Sequence, residues 1–114
     1  MNSLERKMCE ILKRCVSDYG AVGTKAEFEA EGTRTDELLR LLEIAHQADA
    51  KVGLKIGGCE AIRDMLEAKQ FGVRYIIAPM VESKFGAKKF YNIIKKIYME
   101  HKVHTTINLE TKNA

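Results

Sequence analysis

The chain begins with a stretch in which apolar residues recur every three or four positions, a spacing that predicts an amphipathic helix. The residues that share this face are Leu4, Met8, Ile11, Leu12 and Cys15. Tyr19-Gly20 ends the pattern, because glycine readily adopts the left-handed conformation found at helix C-termini. We therefore expect an N-terminal helix over residues 1–19.

Between residues 21 and 31 the period changes to two, which favours a β-strand. One face of this segment carries small or aromatic groups, and the other carries charges: Lys25, Glu27, Glu29 and Glu31. Alanine and glutamate are poor strand formers, so a helix is the alternative for this segment. Gly32-Thr33 interrupts the pattern, and Thr33 or Thr35 can cap the helix that follows.

The rest of the chain continues to alternate between the two periods. The predicted elements are a helix buried through Leu38, Leu41, Leu42 and Ala45, a strand over 51–56, a helix over about 59–70 buried through Ile62, Met65 and Leu66, a strand over 73–78, a helix over about 84–100 buried through Phe90, Ile93, Ile94 and Ile97, and a strand over 103–109. Strands that alternate with helices of this length predict right-handed βαβ crossovers and a parallel sheet. Residues 21–111 thus form about four βα units within a single domain, residues 1–114.

Four βα units can form either an open, doubly wound sheet or part of a closed barrel. The charges on the first two strands favour the barrel, because helices on both faces of an open sheet would bury them at a cost of several kcal/mol each. The 114 residues are also about half of the ~250 residues of a complete barrel. We therefore expect an α/β protein that forms a partial (β/α)8 TIM barrel after an N-terminal helix. Its edge strands would be exposed, so a homo-oligomer, or completion by another chain, is expected.

The composition excludes some classes of partner and indicates the cellular compartment. The 19 basic and 16 acidic residues are interspersed, which argues against a nucleic-acid or membrane-binding surface. No apolar run approaches the ~20 residues of a membrane span, and charges near the N-terminus argue against a signal peptide. The odd, scattered set of cysteines (Cys9, Cys15 and Cys59) argues against disulfides or a zinc site, so we expect a reduced, cytoplasmic protein.

Three segments at the ends of successive predicted strands resemble motifs of the HpcH/HpaI aldolase/citrate lyase family. They are Lys55-Ile-Gly-Gly-Cys-Glu-Ala61, Gly72-Val-Arg-Tyr-Ile-Ile-Ala-Pro-Met-Val-Glu-Ser83 and Ile107-Asn-Leu-Glu-Thr111. The resemblance covers residues 21–111. It implies a barrel that uses a divalent metal, with Mg²⁺ expected, to cleave or form carbon–carbon bonds next to a carbonyl. The implied substrate is a pyruvate- or oxaloacetate-type oxo acid or an acyl ester.

The resemblance also assigns roles to charged residues at the strand ends. Glu110 matches the family's metal-ligating glutamate, although an exposed acid is the alternative for this position. The metal would polarise the substrate carbonyl. Lys55 stands where the family usually has an arginine that binds the substrate's carboxylate or enolate oxygen. It keeps the charge without the bidentate geometry of arginine, and it could instead pair with Glu27 or Glu29.

Other matched residues are candidates for contacts with substrate. Gly57-Gly58 would leave backbone N–H groups free to hold a carboxylate or phosphate, although a tight turn explains the pair equally well. Pro79 and Met80 match the family's strand exit, which shapes the substrate pocket. Glu82 could contact a ligand or stabilise the start of the following helix.

The sequence departs from the family's pattern in two places. The family's acid–His pair after the first strand has no counterpart, so Glu29 or Glu31 would have to act as the base. The family's second metal ligand, an Asp on the next strand, would lie beyond Ala114, so metal binding by this chain alone is expected to be weak. Three hypotheses remain: a lyase-type barrel, a non-catalytic half-barrel that acts through self-association, and a small α/β module that binds an anion at Gly57-Gly58.

Overall fold

The computed structural model describes all residues, from Met1 to Ala114. Its elements follow the predicted order: α1 (Ser3–Tyr19), β1 (Gly23–Glu27), α2 (Thr35–Gln47), β2 (Lys51–Lys55), α3 (Ile62–Gln70), β3 (Tyr75–Ala78), α4 (Lys84–Tyr98) and β4 (His104–Ile107). The strands form one parallel sheet in the order β1-β2-β3-β4. The predicted α/β class with a parallel sheet is therefore confirmed.

One face of the sheet carries the hydrophobic core. Strand residues on this face pack with residues of α2, α3 and α4 in one buried cluster, which includes Ala26, Val52, Leu54, Ile76, Ala78, Leu38, Met65, Phe90 and Ile94. The other face, which we call the open face, carries Lys25, Glu27, Lys51, Gly53, Lys55, Tyr75, Ile77, His104 and Thr106, and none of these residues belongs to that cluster. Strand alternation thus separates an apolar face under the helices from a mixed polar face.

The strand order is consecutive, without the reversal that a doubly wound sheet requires. Right-handed crossovers between consecutive neighbours place the three connecting helices, α2, α3 and α4, on the same side, which agrees with the core lying on one face only. β1 and β4 are the edges of this sheet, and all four residues of β4 are exposed.

Helix α1 has the predicted ends but buries a different face. Asn2 and Glu5 cap its start reciprocally, and Gly20 ends it with a φ of 72°. Cys9 is its buried residue, whereas most of the predicted apolar stripe is exposed, namely Leu4, Met8 and Ile11. Most of the apolar stripe stays exposed because α1 packs against α2 and only a narrow strip of its surface is covered.

Several elements are shorter than predicted, and β1 and α3 are the two that affect the site. β1 ends at Glu27, after which the chain turns back, with the Thr33 N–H donating to the Glu27 carbonyl oxygen at 3.2 Å. α3 begins at Ile62, and this residue and Leu66 are exposed while Met65 is fully buried. Met65 and Ala68 fill the core beneath α3, so the prediction that Ile62 and Leu66 are also buried there was wrong.

None of the four helices combines the length and the apolar content that crossing a lipid bilayer requires.

Candidate functional site

Four charged side chains meet at the carboxyl-terminal end of the sheet, on its open face. Glu27 and Lys55 are directly paired positions of β1 and β2. One carboxylate oxygen of Glu27, Oε1, lies 2.7 Å from Nζ of Lys25 and 3.5 Å from Nζ of Lys55. The same Lys55 nitrogen lies 3.8 Å from Oε1 of Glu110. We call these residues, Lys25, Glu27, Lys55 and Glu110, the charge cluster.

The cluster alternates in sign, and its electrostatics favour the charged forms. Glu27 is 7% exposed and is the only charged residue in the chain that is buried. The hydrogen bond from Lys25, together with the positive charges of Lys25 and Lys55, holds the pKa of Glu27 below its usual range despite the opposing effect of burial. The same hydrogen bond raises the pKa of Lys25. A substrate anion that approaches Lys55 must therefore compete with two carboxylates that already contact it.

A cavity of about 210 Å³ adjoins the charge cluster. Its lining includes five of the residues predicted from the sequence: Glu29, Lys55, Gly57, Pro79 and Met80. They follow or end β1, β2 and β3, whose carboxyl ends lie at the same edge of a parallel sheet. The cavity is smaller than the ~300–1,000 Å³ pockets that hold drug-sized ligands, so its size suits a small molecule.

Met80 gives the rim of this cavity an uncommon backbone conformation. Its φ is +51°, in the left-handed region that residues other than glycine seldom adopt. The other two such residues, Asp49 and Met99, lie at the ends of helices α2 and α4. Local strain of about 1–3 kcal/mol persists only where the surrounding structure holds it, and it concentrates at functional sites.

The turn at Gly57 brings carboxylates together instead of leaving a free anion site. The Gly57 N–H donates to Oδ2 of Asp64 at 2.8 Å. A Cβ atom at Gly57 would lie 2.6 Å from Oε2 of Glu29, so the Glu29 side chain approaches the glycine closely. These groups and Glu60 line a further cavity of about 490 Å³ that also includes Gly58. An anion at Gly57-Gly58 would have to displace Asp64 from the N–H and would face three acids.

Four predicted site residues do not line the 210 Å³ cavity: Gly58, Glu110, Glu31 and Glu82. Glu31 is exposed in the bend after β1. Glu82 is exposed and lines a separate cavity beside the C-terminal segment. It does not cap α4, because Oγ of Ser83 accepts from the Gly86 N–H at 3.0 Å and fills that role.

Glu110, which the resemblance assigns to a metal ion, is a single carboxylate and does not make a metal site by itself. Its Oε1 accepts from Nδ2 of Asn108 at 3.0 Å in addition to contacting Lys55. The neighbouring Thr111 hydroxyl is shielded from solvent and has no hydrogen-bond partner. No three or more His, Cys, Asp or Glu side chains are arranged to hold a metal ion. The residues of this chain therefore do not by themselves fit a divalent cation, and further oxygen ligands would be needed.

Sequence reasoning missed several members of the site. Lys25 and Glu27 were expected only as charges of the first strand that favour a barrel, with Glu27 also a pairing alternative for Lys55, and Asp64 was given no role in the site. The alternating pattern places Lys25 and Glu27 on one face of a strand, but only the register Glu27↔Lys55 shows which acid contacts Lys55. The contact of Asp64 with Gly57 depends on where α3 begins, and the sequence placed that boundary too early.

Comparison of the chain with protein-family models, curated proteins and solved structures found no match. The fold and the site together define the class of this protein. It is an α/β protein with one parallel sheet whose buried core lies on one face, and a charged cavity lies at the carboxyl-terminal edge of the sheet.

Proposed function

We propose that this chain is part of a metal-dependent carbon–carbon lyase of the aldolase/citrate lyase type, acting on a pyruvate- or oxaloacetate-type oxo acid or an acyl ester. The observation that carries the proposal is that segments far apart in sequence deliver Lys55, Pro79 and Glu110 to one edge of the sheet. In (β/α)8 barrels the active site is built at this edge, from the loops that follow the strands. The consecutive strand order and the single helical layer support a partial TIM barrel as the finer description of the fold.

In this proposal the cation binds the substrate anion and a carboxylate acts as the base. Lys55 binds the substrate's carboxylate or enolate oxygen, and it exchanges a contact with Glu27 or Glu110 to do so. Glu29 lines the same cavity and forms none of the chain's ion pairs, so it is the acid best placed to accept a proton from carbon. Glu31, exposed outside the cavity, is the weaker candidate for that base.

The proposal includes Mg²⁺ as the cofactor, with Glu110 as the carboxylate that this chain contributes. When bound, the ion would polarise the substrate carbonyl. Because Glu110 is a single carboxylate, the remaining oxygen ligands would come from water, from the substrate or from another chain.

Exchange of pyruvate methyl protons with D₂O tests the proposal, because forming the enolate is the step that all such lyases share. We expect exchange at high Mg²⁺ concentration, since the chain's own ligand set is incomplete. We also expect a loss of at least about tenfold in Glu29→Gln, as for removal of a general base, and in Lys55→Gln, as for removal of the cation that binds the enolate oxygen. Glu82→Gln is the matched control, since Glu82 is exposed and outside the cavity. Oxalate, which resembles the enolate, provides a binding readout by calorimetry that does not require turnover. Absence of both exchange and oxalate binding in folded protein would refute the proposal.

A non-catalytic half-barrel that acts through self-association is the second candidate, and the open face favours it. Tyr75 and Ile77 lie on this face outside the buried core and are partly exposed, and β4 presents an unpaired edge with Ile107 exposed. Edge strands of this kind readily pair with another chain. Sedimentation velocity of wild type and of Ile77→Lys separates the candidates: a dimer that dissociates in the variant, without exchange activity in wild type, favours self-association.

The third hypothesis, a small anion-binding module, would have been favoured by a strand order unlike that of a barrel. The observed order is consecutive.

A further inference from the structure

A second large cavity lies at the opposite, amino-terminal edge of the sheet, and the proposed function makes no use of it. Its volume is about 770 Å³. It is bounded by the C-terminal ends of α2 and α3 and by the starts of β2, β3 and β4. The side chains that matter for its chemistry are Glu43, His46, Lys51, Arg74, Lys102 and His104.

The lining of this cavity is unusually basic and its cations are unpaired. Lys51, Arg74 and Lys102 face a single acid, Glu43. None of the ion pairs in the chain includes any of these three cations. They are therefore available to a ligand, in contrast to Lys25 and Lys55 of the charge cluster, whose ammonium groups already contact carboxylates.

Arg74 is the least exposed of the three cations. Its Nη1 is shielded from solvent and has no hydrogen-bond acceptor, so a ligand in the cavity would contact the guanidinium through its other nitrogens. The backbone around it is held in place, because the His104 N–H donates to the Arg74 carbonyl oxygen at 2.7 Å. The His104 ring stacks on Tyr75, with centroids 4.8 Å apart, so this imidazole is also held at the cavity wall.

The negative ends of two helices offset part of this positive charge, but not all of it. The C-termini of α2 and α3 each present roughly half a negative charge, which cations nearby stabilise. Together with Glu43 they offset about two of the three positive charges, so the cavity keeps a net charge of about +1 even with both histidines neutral.

We propose that this cavity binds a phosphate-bearing small molecule. A guanidinium binds phosphate through two parallel hydrogen bonds, and the two lysines add positive charge from other directions. The volume is in the range of pockets that hold small metabolites, and the apolar part of the lining, which includes Leu42 and Phe71, can cover the rest of such a ligand. This site is independent of the proposed lyase chemistry, because it lies at the other end of the strands.

Titration calorimetry and ¹H–¹⁵N NMR with two probes, inorganic phosphate and phenyl phosphate, test the inference on the full chain at constant ionic strength. We expect saturable binding that shifts the amide signals of Gly72 and His104. Arg74→Gln and Lys102→Gln should each raise the Kd about tenfold, the loss expected for one charge-assisted hydrogen bond. Arg63→Gln is the matched control, since Arg63 is exposed on α3 and lines neither cavity. Lys102 is exposed, so its variant tests the site even if Arg74→Gln impairs folding.

The two probes also separate the source of the phosphate. Tighter binding of phenyl phosphate assigns the site to a phosphate monoester, and equal affinities assign it to free phosphate. The inference is overturned if neither probe binds, if both cavity variants bind as wild type does, or if the shifted amides cluster at Gly57-Gly58 instead.

Discussion

The hydroxyl group of Tyr98 is expected to contribute measurably to stability, and Tyr98→Phe isolates that contribution. Tyr98 is 1% exposed at the end of α4, and its hydroxyl donates to the Val73 carbonyl oxygen at 2.8 Å, just before β3. The bond joins positions 25 apart in sequence and ties the last helix to the central part of the sheet. Phenylalanine keeps the ring and its packing but leaves the buried carbonyl without this partner.

The size of the effect follows from these two features. A net protein hydrogen bond contributes about 0.5–1.5 kcal/mol, and a buried acceptor left unpaired costs about 1–3 kcal/mol. We therefore expect Tyr98→Phe to lower the free energy of unfolding by about 1.5 kcal/mol. With an unfolding entropy of roughly 2.1 cal/mol/K per residue, this corresponds to a decrease in Tm of about 6 °C for a chain of 114 residues.

Urea denaturation followed by circular dichroism measures the change, and Tyr91→Phe is the control. Tyr91 lies on the same helix but is 57% exposed, so removal of its hydroxyl should change stability by less than about 0.5 kcal/mol. Equal midpoints for the two variants, with equal urea dependence, would refute the reasoning.

The pH dependence gives an independent check of the same bond. Burial raises the pKa of Tyr98 to about 12, from an ordinary value of 10. Between these pH values the unfolded chain has lost the proton and the folded chain has kept it, so stability falls as pH rises through this window. The advantage of wild type over Tyr98→Phe should be full below pH 10 and should shrink above it. A difference that stays constant up to pH 12 would contradict the assigned burial.

Three further outcomes can be measured. Gly23→Ala should destabilise the protein by about 1–3 kcal/mol in urea denaturation, because its Cβ would lie 2.7 Å from a backbone oxygen of β2, whereas Gly53→Ala, whose nearest contact is 3.4 Å, should cost less. The depressed pKa of Glu27 gives the wild type extra stability above the ordinary pKa of 4.5, and this stability is lost as pH falls through the pKa of the folded state. Glu27→Gln should remove this contribution. Parallel curves of unfolding free energy against pH for wild type and variant would exclude it. Cys15 should react with a thiol reagent before Cys9, which is buried, as followed by mass spectrometry of the modified peptides; simultaneous labelling would contradict the packing of α1.

Much of the candidate site could be located from the sequence because its residues follow strands. Parallel strands bring their carboxyl ends to one edge, so Glu29, Lys55, Gly57 and Pro79 could be grouped before any coordinates were known. The contacts within the site could not be derived in the same way. Whether Lys55 pairs with Glu27 or Glu29 depends on strand register and on the turn after β1, and a shift of two residues would exchange the partners.

The basic cavity at the amino-terminal edge was not foreseen at all. Its cations come from three separate segments, each too short to form a basic run, and the sequence contains acids interspersed among them. The sequence does contain two histidines and scattered lysines in these segments, but their spacing does not predict that they line one cavity.

Local order was determined by the sequence alone: which segments form helices and strands, their order, and the parallel sheet that this order requires. These properties follow from side-chain periodicity and from the chirality of crossovers, which act over a few residues or within one βαβ unit. Only the tertiary structure decided which stripe of α1 is buried, which acid contacts Lys55, and that Lys51, Arg74 and Lys102 share a cavity. Those outcomes depend on how elements distant in sequence approach one another, and the packing that decides them is a property of the whole domain.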